Sequence, residues 1–317
     1  RVGGSNRFDD SCGYQGRVFA QAVAGRSESL HSGFGEDGQD RQIVVEFTNV
    51  RVHAFHPRYM TVSWEIANIP GGTDYTIDIE RSETPDGPWT LIAQGLVDRE
   101  FYHDWDANQY NLRRRHFYRV TYRDGSGAPV VSPAVTNLNT PDAIAYDIIR
   151  REQLALNVLS GRPGFFLIER TWGAPCTFCY DSVAQKTSVS DCPYCYGTRY
   201  AGGYFEPIFG YVSQQGLSNL NQQATPIMEM QQVTKQFWTS NSPLLKVRDV
   251  FVDAENNRWR VMAISHTEKL GAFMRQIMSM SEVPKGHIIY DIPVPNLYDF
   301  HPVRDYHIWE TTPFLEP

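Results

Sequence analysis

The chain lacks several features that would place it in a familiar class of proteins. No stretch of about 18 apolar residues occurs in its 317 residues, so a membrane-spanning helix is not expected. The N-terminal residues carry no apolar core of the signal-peptide type, so export by such a peptide is not expected either. Basic residues are outnumbered, 29 against 36 acidic, which argues against binding nucleic acid through its phosphates.

Catalytic motifs are missing as well. The histidines are scattered, and neither H-E-x-x-H, G-x-S-x-G nor a phosphate-binding loop occurs. The glycines of "GFGEDG" at 33–38 have dinucleotide-binding spacing, but no strand pattern precedes them. "DWDAN" at 104–108 begins like a calcium loop but lacks the required glycine and glutamate. Carboxylate pairs such as Asp249 and Asp253 are compatible with acid–base catalysis without indicating it, and we expect no enzymatic activity.

The patterns that are present indicate a mainly β chain in several parts. Short alternating runs such as "TVSWEI" and "YTIDIERS", separated by Gly/Pro/Asp turns, are typical of a β-sandwich. "DVFVDAENNRWRVMAI" predicts a hairpin within a barrel-like region. We expect an N-terminal arm at 1–44, a sandwich at 45–138, a linking helix at 139–162, a β-barrel-like domain at 163–290 and a Pro- and aromatic-rich C-terminal arm at 291–317.

The linking helix shows start and stop signals. Thr140 is placed to cap its first turn, and Gly161 is placed to end it. Its apolar residues recur at helical spacing, which predicts one buried side. That side is centred on Ile144, Ile148, Ala155 and Leu159, with Ala145, Ile149 and Leu156 beside them.

The sandwich region resembles a fibronectin type III domain. Trp64 stands where that family keeps a core Trp on its second strand, and Leu112 followed by Tyr118 matches the family's Leu and Tyr spacing. The resemblance implies that the Tyr118 hydroxyl ties back to nearby backbone as a tyrosine corner. The "RRR" at 113–115 departs from the family, which often has Pro and Gly in that loop.

Four of the five cysteines fall in one short segment, 174–199, as two Cys-x-x-Cys pairs with twelve residues between them. Two turns that each point two sulfurs at one spot suit the tetrahedral, closed geometry of structural zinc. Two disulfides, an iron–sulfur cluster and a redox pair remain alternatives. The second pair, "CPYCYGT", resembles a zinc-ribbon knuckle. We therefore predict one zinc ion on Cys176, Cys179, Cys192 and Cys195, and Cys12 has no sequence partner.

A stretch near the C-terminus resembles the small β-barrels of head-closure and head–tail joining proteins of tailed bacteriophages. Asp249 to Asp253, Trp259, Val261 and the strand from Gln276 to Met280 carry that pattern. The resemblance implies a structural virion subunit of the neck, connector or a tail-associated ring. Its partners would be copies of itself in a ring and neighbouring portal, tail or collar subunits, with no membrane and no sequence-specific nucleic acid.

Two other functions remain open from the sequence. A carbohydrate-binding or adhesive accessory protein would need exposed aromatic rings arranged as a flat sugar platform, for which Trp89 and Trp105 are the candidates. A zinc-ribbon nucleic-acid factor is disfavoured by the acidic charge balance, since the cysteine segment carries only Lys186 and Arg199 as cations.

Overall fold

A computed structural model describes residues 44–56, 59–107, 115–125, 127–137, 141–181, 186–189, 191–215 and 234–297. All of these residues belong to one compact unit. The predicted N-terminal arm lies outside the described residues except for Val44, and so do Cys12, Leu112 and Thr140. The mainly β fold class is confirmed: the chain forms a sandwich, a closed six-stranded barrel, a helix between them and a four-cysteine segment.

Two antiparallel sheets form the sandwich. Its strands are β1 (Glu46–His56), β2 (Tyr59–Ala67), β3 (Thr76–Ser82), β4 (Thr90–Leu96), β5 (Phe101–Asp104), β6 (Phe117–Arg123), β7 (Val130–Val131) and β8 (Val135–Thr136). One sheet has the order β1-β2-β5 and the other β4-β3-β6-β7, with β8 also paired to β6. Alternate residues of each strand point inward, so Val62 and Trp64 of one sheet share a core with Ile79 and Val120 of the other. Trp64 is buried, as predicted.

The hydroxyl of Tyr118 corrects one expectation. It donates to Oδ2 of Asp104 at 2.9 Å and not to a backbone carbonyl. Asp104 is buried at the end of β5, where it also accepts two hydrogen bonds from Arg81 at 2.7 and 2.9 Å. A buried carboxylate is stable only when it accepts strong hydrogen bonds. The Tyr118 hydroxyl therefore donates to Asp104 and not to the backbone.

The helix between the two β parts is α1 (Ala143–Leu154), continued by a π-helical turn at Ala155–Ser160. The expected buried side is wrong by about one residue position. Ala145, Tyr146 and Ile149 are buried against Ala272 and Met274 of the barrel, whereas Ile144 and Leu159 are exposed, Leu159 by 81%. The barrel contact, not the centre of the apolar stripe, sets which face is covered. Among the described residues, no helix is long and apolar enough to cross a membrane.

The barrel and the cysteine segment share the rest of the chain. The strands are β9 (Arg162–Leu167), β10 (Tyr180–Asp181), β11 (Lys186–Thr187), β12 (Ile208–Gln214), β13 (Thr234–Ser240), β14 (Val250–Asp253), β15 (Arg258–Lys269) and β16 (Ala272–Glu282). Six of them close into an antiparallel barrel of order β12-β13-β16-β15-β14-β9. The predicted β14–β15 hairpin is confirmed, with Val250 opposite Arg260 and Val252 opposite Arg258. β10 and β11 form a separate ribbon within the cysteine segment.

Sandwich and barrel share one core. The cluster of buried apolar residues runs without a break from Trp64 and Tyr122 through Trp172 and Phe205 to Phe251 in the barrel. Ion pairs reinforce this junction at three successive positions of the sandwich. Asp98 pairs with Arg170, Arg99 with Glu206 at 2.7 Å, and Glu100 with Lys246 at 3.3 Å.

The described beginning of the predicted C-terminal arm lies on the barrel of its own chain. A 3-10 turn, Ile288–Asp291, precedes it, and Ile292 packs with Leu167 and Val250. Arg258, which is buried, donates to the carbonyls of Ile289 and Ile292 and so holds this stretch down. Residues 298–317 of the predicted arm lie outside the described residues.

Candidate metal centre

Two short turns bring the four thiols of the cysteine segment together. The sulfur atoms all lie within 4.8 Å of one another, with 3.9 Å between Cys176 and Cys192 and 3.3 Å between Cys179 and Cys195. All four side chains are buried, each no more than 3% exposed. The four residues that the sequence predicts as ligands are therefore the four that the fold assembles.

The two turns repeat the same local design. The amide of Tyr180 donates to the carbonyl of Cys176 at 3.1 Å, and the amide of Tyr196 donates to that of Cys192 at 2.8 Å. Each turn thus closes four residues after its first cysteine, which points both sulfurs of the pair to one side. A hydroxyl then fixes the second cysteine of each pair: Ser188 donates to the carbonyl of Cys179, and Thr198 to that of Cys195.

Glycines make the second turn possible. Gly197 has a φ of +81°, a left-handed conformation that glycine adopts without a Cβ penalty, and its amide is hydrogen-bonded to the Cys195 sulfur. Gly203 also has a positive φ, and a Cβ on it would approach the Cys195 carbonyl oxygen to 2.7 Å. The chain can pass this close to the cysteine turn only because a glycine stands at 203.

A two-stranded base ties the segment to the barrel. The chain leaves the barrel after β9, forms the cysteine segment and rejoins the barrel at β12. Isolated bridges join Pro175 to Tyr200 and Glu169 to Tyr204 at the base of the segment. The amide of Cys176 also donates to the carbonyl of Arg199 at 2.8 Å. The segment is therefore an insertion between two neighbouring barrel strands, anchored at its base and organised at its tip by the thiols.

The thiols differ in how readily they ionise. Burial opposes ionisation of Cys192, but the amides of Tyr194 and Cys195, together with hydrogen bonds from the thiols of Cys179 and Cys195, outweigh it and lower the pKa of the Cys192 thiol to about 7. Burial raises the pKa of Cys179, and its hydrogen bond with Cys195 raises it further. Several thiolates could therefore coexist here only beside a cation that neutralises their mutual repulsion.

The donor set fits a metal ion. A tetrahedral ion with metal–sulfur bonds of about 2.3 Å requires sulfur–sulfur distances of about 3.8 Å, close to the separations observed. A disulfide requires about 2.05 Å, and all four cysteines are free in the structure. With four sulfur ligands the coordination shell is complete, so an ion held here has no open position for a substrate.

The other sequence candidates do not gather into a site. Asp249 accepts hydrogen bonds from the amides of Glu169 and Lys246, at 2.9 and 2.6 Å. Asp253 accepts from the amides of Glu255 and Asn257 within the β14–β15 turn. Both carboxylates are thus occupied in holding backbone.

Trp89 and Trp105 lie at different sheets. Trp89 precedes β4 and lies under the guanidinium of Arg119, 4.5 Å from the ring centroid. Trp105 follows β5 of the other sheet and packs on Tyr59 at 4.6 Å. The two rings therefore do not form one flat platform.

Sequence analysis missed the electrostatic role of Asp249. Burial, together with the nearby Glu100, raises its pKa to about 8. Glu100 comes from the sandwich and Glu169 from the stretch after β9, both far from Asp249 in the chain, so no local sequence signal could have revealed this. No family model and no curated protein matches the chain.

Proposed function

We propose that the four thiolates hold one structural zinc ion per chain. The compact, buried and disulfide-free arrangement of four sulfurs is the observation that supports this assignment. Zinc prefers four thiolate ligands in a closed tetrahedron, and the segment it would organise is an insertion with little apolar core of its own. Metal binding then supplies folding free energy to this segment.

Metal analysis tests the zinc assignment. Protein purified under reducing conditions should contain about one equivalent of zinc. Cys192→Ser should lose the metal, and hydrogen exchange should rise first in residues 170–205, because the binding energy is the folding energy of that segment. Cys12→Ser is the matched control and should keep the metal. Iron in place of zinc, or two disulfides without metal, would refute the assignment.

We further propose that the chain is a non-enzymatic structural subunit of a tailed-phage virion, in the neck, the connector or a tail-associated ring. The closed barrel that contains the phage-like segment is the observation that supports this proposal. One of its hairpins extends beyond the barrel wall. β14 pairs with β15 only at Arg258–Arg260, whereas β15 and β16 continue to pair up to Lys269 and Ala272.

The extended hairpin offers a surface for assembly. Among the described residues no strand pairs with the outer edge of β15 beyond Val261, so backbone donors and acceptors are available there. Met262 and Leu270 are 47% and 58% exposed beside that edge. Free edges with apolar neighbours are suited to pairing with another subunit, which is how a ring of identical copies would use them.

Assembly can be measured directly. The protein should form a ring at micromolar concentration in light scattering and electron microscopy, alone or with portal or tail subunits. The double variant Met262→Glu, Leu270→Glu should lose the ring while its melting temperature stays unchanged. Leu91→Glu, a matched change at an exposed sandwich position, should keep it. A parent that stays monomeric and joins none of these partners would refute the proposal.

A further inference from the structure

The turn that joins β15 to β16 contains a residue that its backbone conformation disfavours. Lys269 pairs with Ala272, so the loop consists of Leu270 and Gly271 alone. Their φ angles are +53° and +69°. Hairpin loops of two residues with positive φ favour Asn followed by Gly, because most side chains destabilise the left-handed conformation. Leu270 stands at the position where Asn is favoured.

Other left-handed positions of the chain hold residue types of a different kind. The turn between β14 and β15 places Asn256 at a φ of +59°, and Asn tolerates this conformation. The other non-glycine residues with positive φ in the described part of the chain are also polar or aromatic: Asn68, Asp98, Tyr196, Arg199 and Arg248. Leu270 is thus the one aliphatic residue that the described part of the chain holds in this way.

Burial within the chain does not account for Leu270 either. Its side chain is 58% exposed. A Cβ on the adjacent Gly271 would meet nothing within 4 Å, so the turn is open to solvent on that side. An exposed leucine adds little apolar burial to the folding of its own chain. Both the backbone and the solvent therefore disfavour a leucine at this position.

The turn lies at the far end of the extended hairpin. The pairing of β14 with β15 ends where Val250 lies opposite Arg260. From Arg260 to Leu270 the strand covers about 33 Å, at about 3.3 Å per residue. The exposed Met262 lies on the same strand between these two positions. Leu270 is therefore continuous with the edge surface proposed for assembly.

We propose that Leu270 is the apolar anchor with which each chain binds the next copy of itself, and that the chain retains it at a cost to its own stability. The inference rests on the proposed ring assembly and adds the residue that dominates the contact. Disfavoured backbone conformations are concentrated at functional sites, and a few buried side chains supply most of the binding energy of an interface. Burial of Leu270 against the neighbouring copy offsets the strain of the turn.

The variant Leu270→Asn tests the proposal on the full chain, because it changes folding and assembly in opposite directions. Below the concentration at which the parent assembles, its melting temperature should rise by about 1–3 °C, since Asn suits the turn. Its ring should form only at a protein concentration at least about tenfold higher in light scattering, since the anchor is lost. A better-folded variant that assembles less well cannot owe its defect to unfolding.

Two control variants separate the anchor from general effects. Leu270→Met keeps an apolar side chain in the same disfavoured conformation, so it should assemble within about threefold of the parent and gain no melting temperature. Leu159→Asn removes an apolar side chain that is 81% exposed at the end of the π-helical turn. It should assemble like the parent.

The outcomes distinguish this inference from the assembly proposal on which it rests. A ring that forms equally well with Leu270→Asn, or a melting temperature that does not rise, would overturn the anchor role alone. Equal loss of assembly in Leu159→Asn would also overturn it, because the effect would not be specific to the turn. A parent that forms no ring, alone or with portal or tail subunits, would refute the assembly proposal and the anchor with it.

Discussion

At the scale of single residues, Asp249 is a carboxyl group whose pKa the fold moves far from its ordinary value. It is the last residue of the loop that precedes β14, it is almost completely buried, and it accepts hydrogen bonds from the backbone amides of Glu169 and Lys246. Burial raises its pKa to about 8, against an ordinary value of 3.8. Between these two pH values the folded chain therefore holds one proton more than the unfolded chain.

This proton makes the stability of the protein depend on pH. Because the folded state binds the extra proton, the free energy of unfolding should fall as the pH rises from about 4 to about 8, by up to about 1.4 kcal/mol per pH unit, and then level off. Asp249→Asn removes the titration. It lowers overall stability through a lost hydrogen bond, but it should flatten the slope.

Urea unfolding at several pH values measures this slope. Above pH 8 the parent and variant curves should run parallel, which is the internal control. Equal slopes for both proteins between pH 4 and pH 8 would show that Asp249 is not the group responsible.

At the scale of elements, the cysteine segment depends both on the two cysteine turns, which are local, and on one close contact between Gly203 and the second turn. The spacing of the cysteines shapes each turn, so the four ligands could be predicted from the sequence. The approach of Gly203 to the carbonyl of Cys195 could not, because it brings the returning chain against a turn eight residues earlier. Only the folded segment shows why position 203 is restricted to glycine.

Two glycines with nearly the same backbone conformation allow the cost of backbone strain to be measured apart from the cost of a steric clash. Gly203 and Gly271 have φ of +67° and +69°, but a Cβ on Gly271 would meet nothing within 4 Å. Gly271→Ala should cost about 1 kcal/mol through backbone strain alone. Gly203→Ala should cost about 2–4 kcal/mol, since the collision adds to the strain.

Thermal unfolding and metal content should be measured for both variants. We expect Gly203→Ala to lose metal more readily to a chelator, and Gly271→Ala to retain it like the parent. Equal destabilisation by the two changes would contradict the close approach that the structure shows.

At the scale of the whole molecule, the sandwich and the barrel behave as one body. Trp172 connects them: its ring lies 6.5 Å from Tyr75 of the sandwich and 5.3 Å from Phe205 at the entrance to the barrel. The three ion pairs made by residues 98–100 lie at the same junction. Neither part can unfold without exposing apolar surface of the other.

Calorimetry should therefore show one unfolding transition. The calorimetric and van't Hoff enthalpies should agree, as they do for two-state unfolding. Phe205→Ala should lower that single transition, by about 3–5 kcal/mol in free energy, without splitting it. Two separate transitions in the parent would mean that the shared core does not couple the parts.

The sequence by itself determined the features that depend on neighbours along the chain. The period-two alternation predicted the strands, the resemblance to a fibronectin type III domain implied the burial of Trp64, and the turn residues predicted the β14–β15 hairpin. Two Cys-x-x-Cys turns predicted the thiol cluster. In each case the residues that make the feature lie within a few positions of one another, so their spacing in the sequence determines how they are arranged in space.

Tertiary structure alone decided the features that depend on residues far apart in the chain. The covered face of α1 was set by Ala272 and Met274, the partner of Tyr118 by the buried Asp104, and the pKa of Asp249 by burial and by residues of two distant segments. Burial and electrostatics act through space, and the distances that govern them are fixed only when the whole chain is packed.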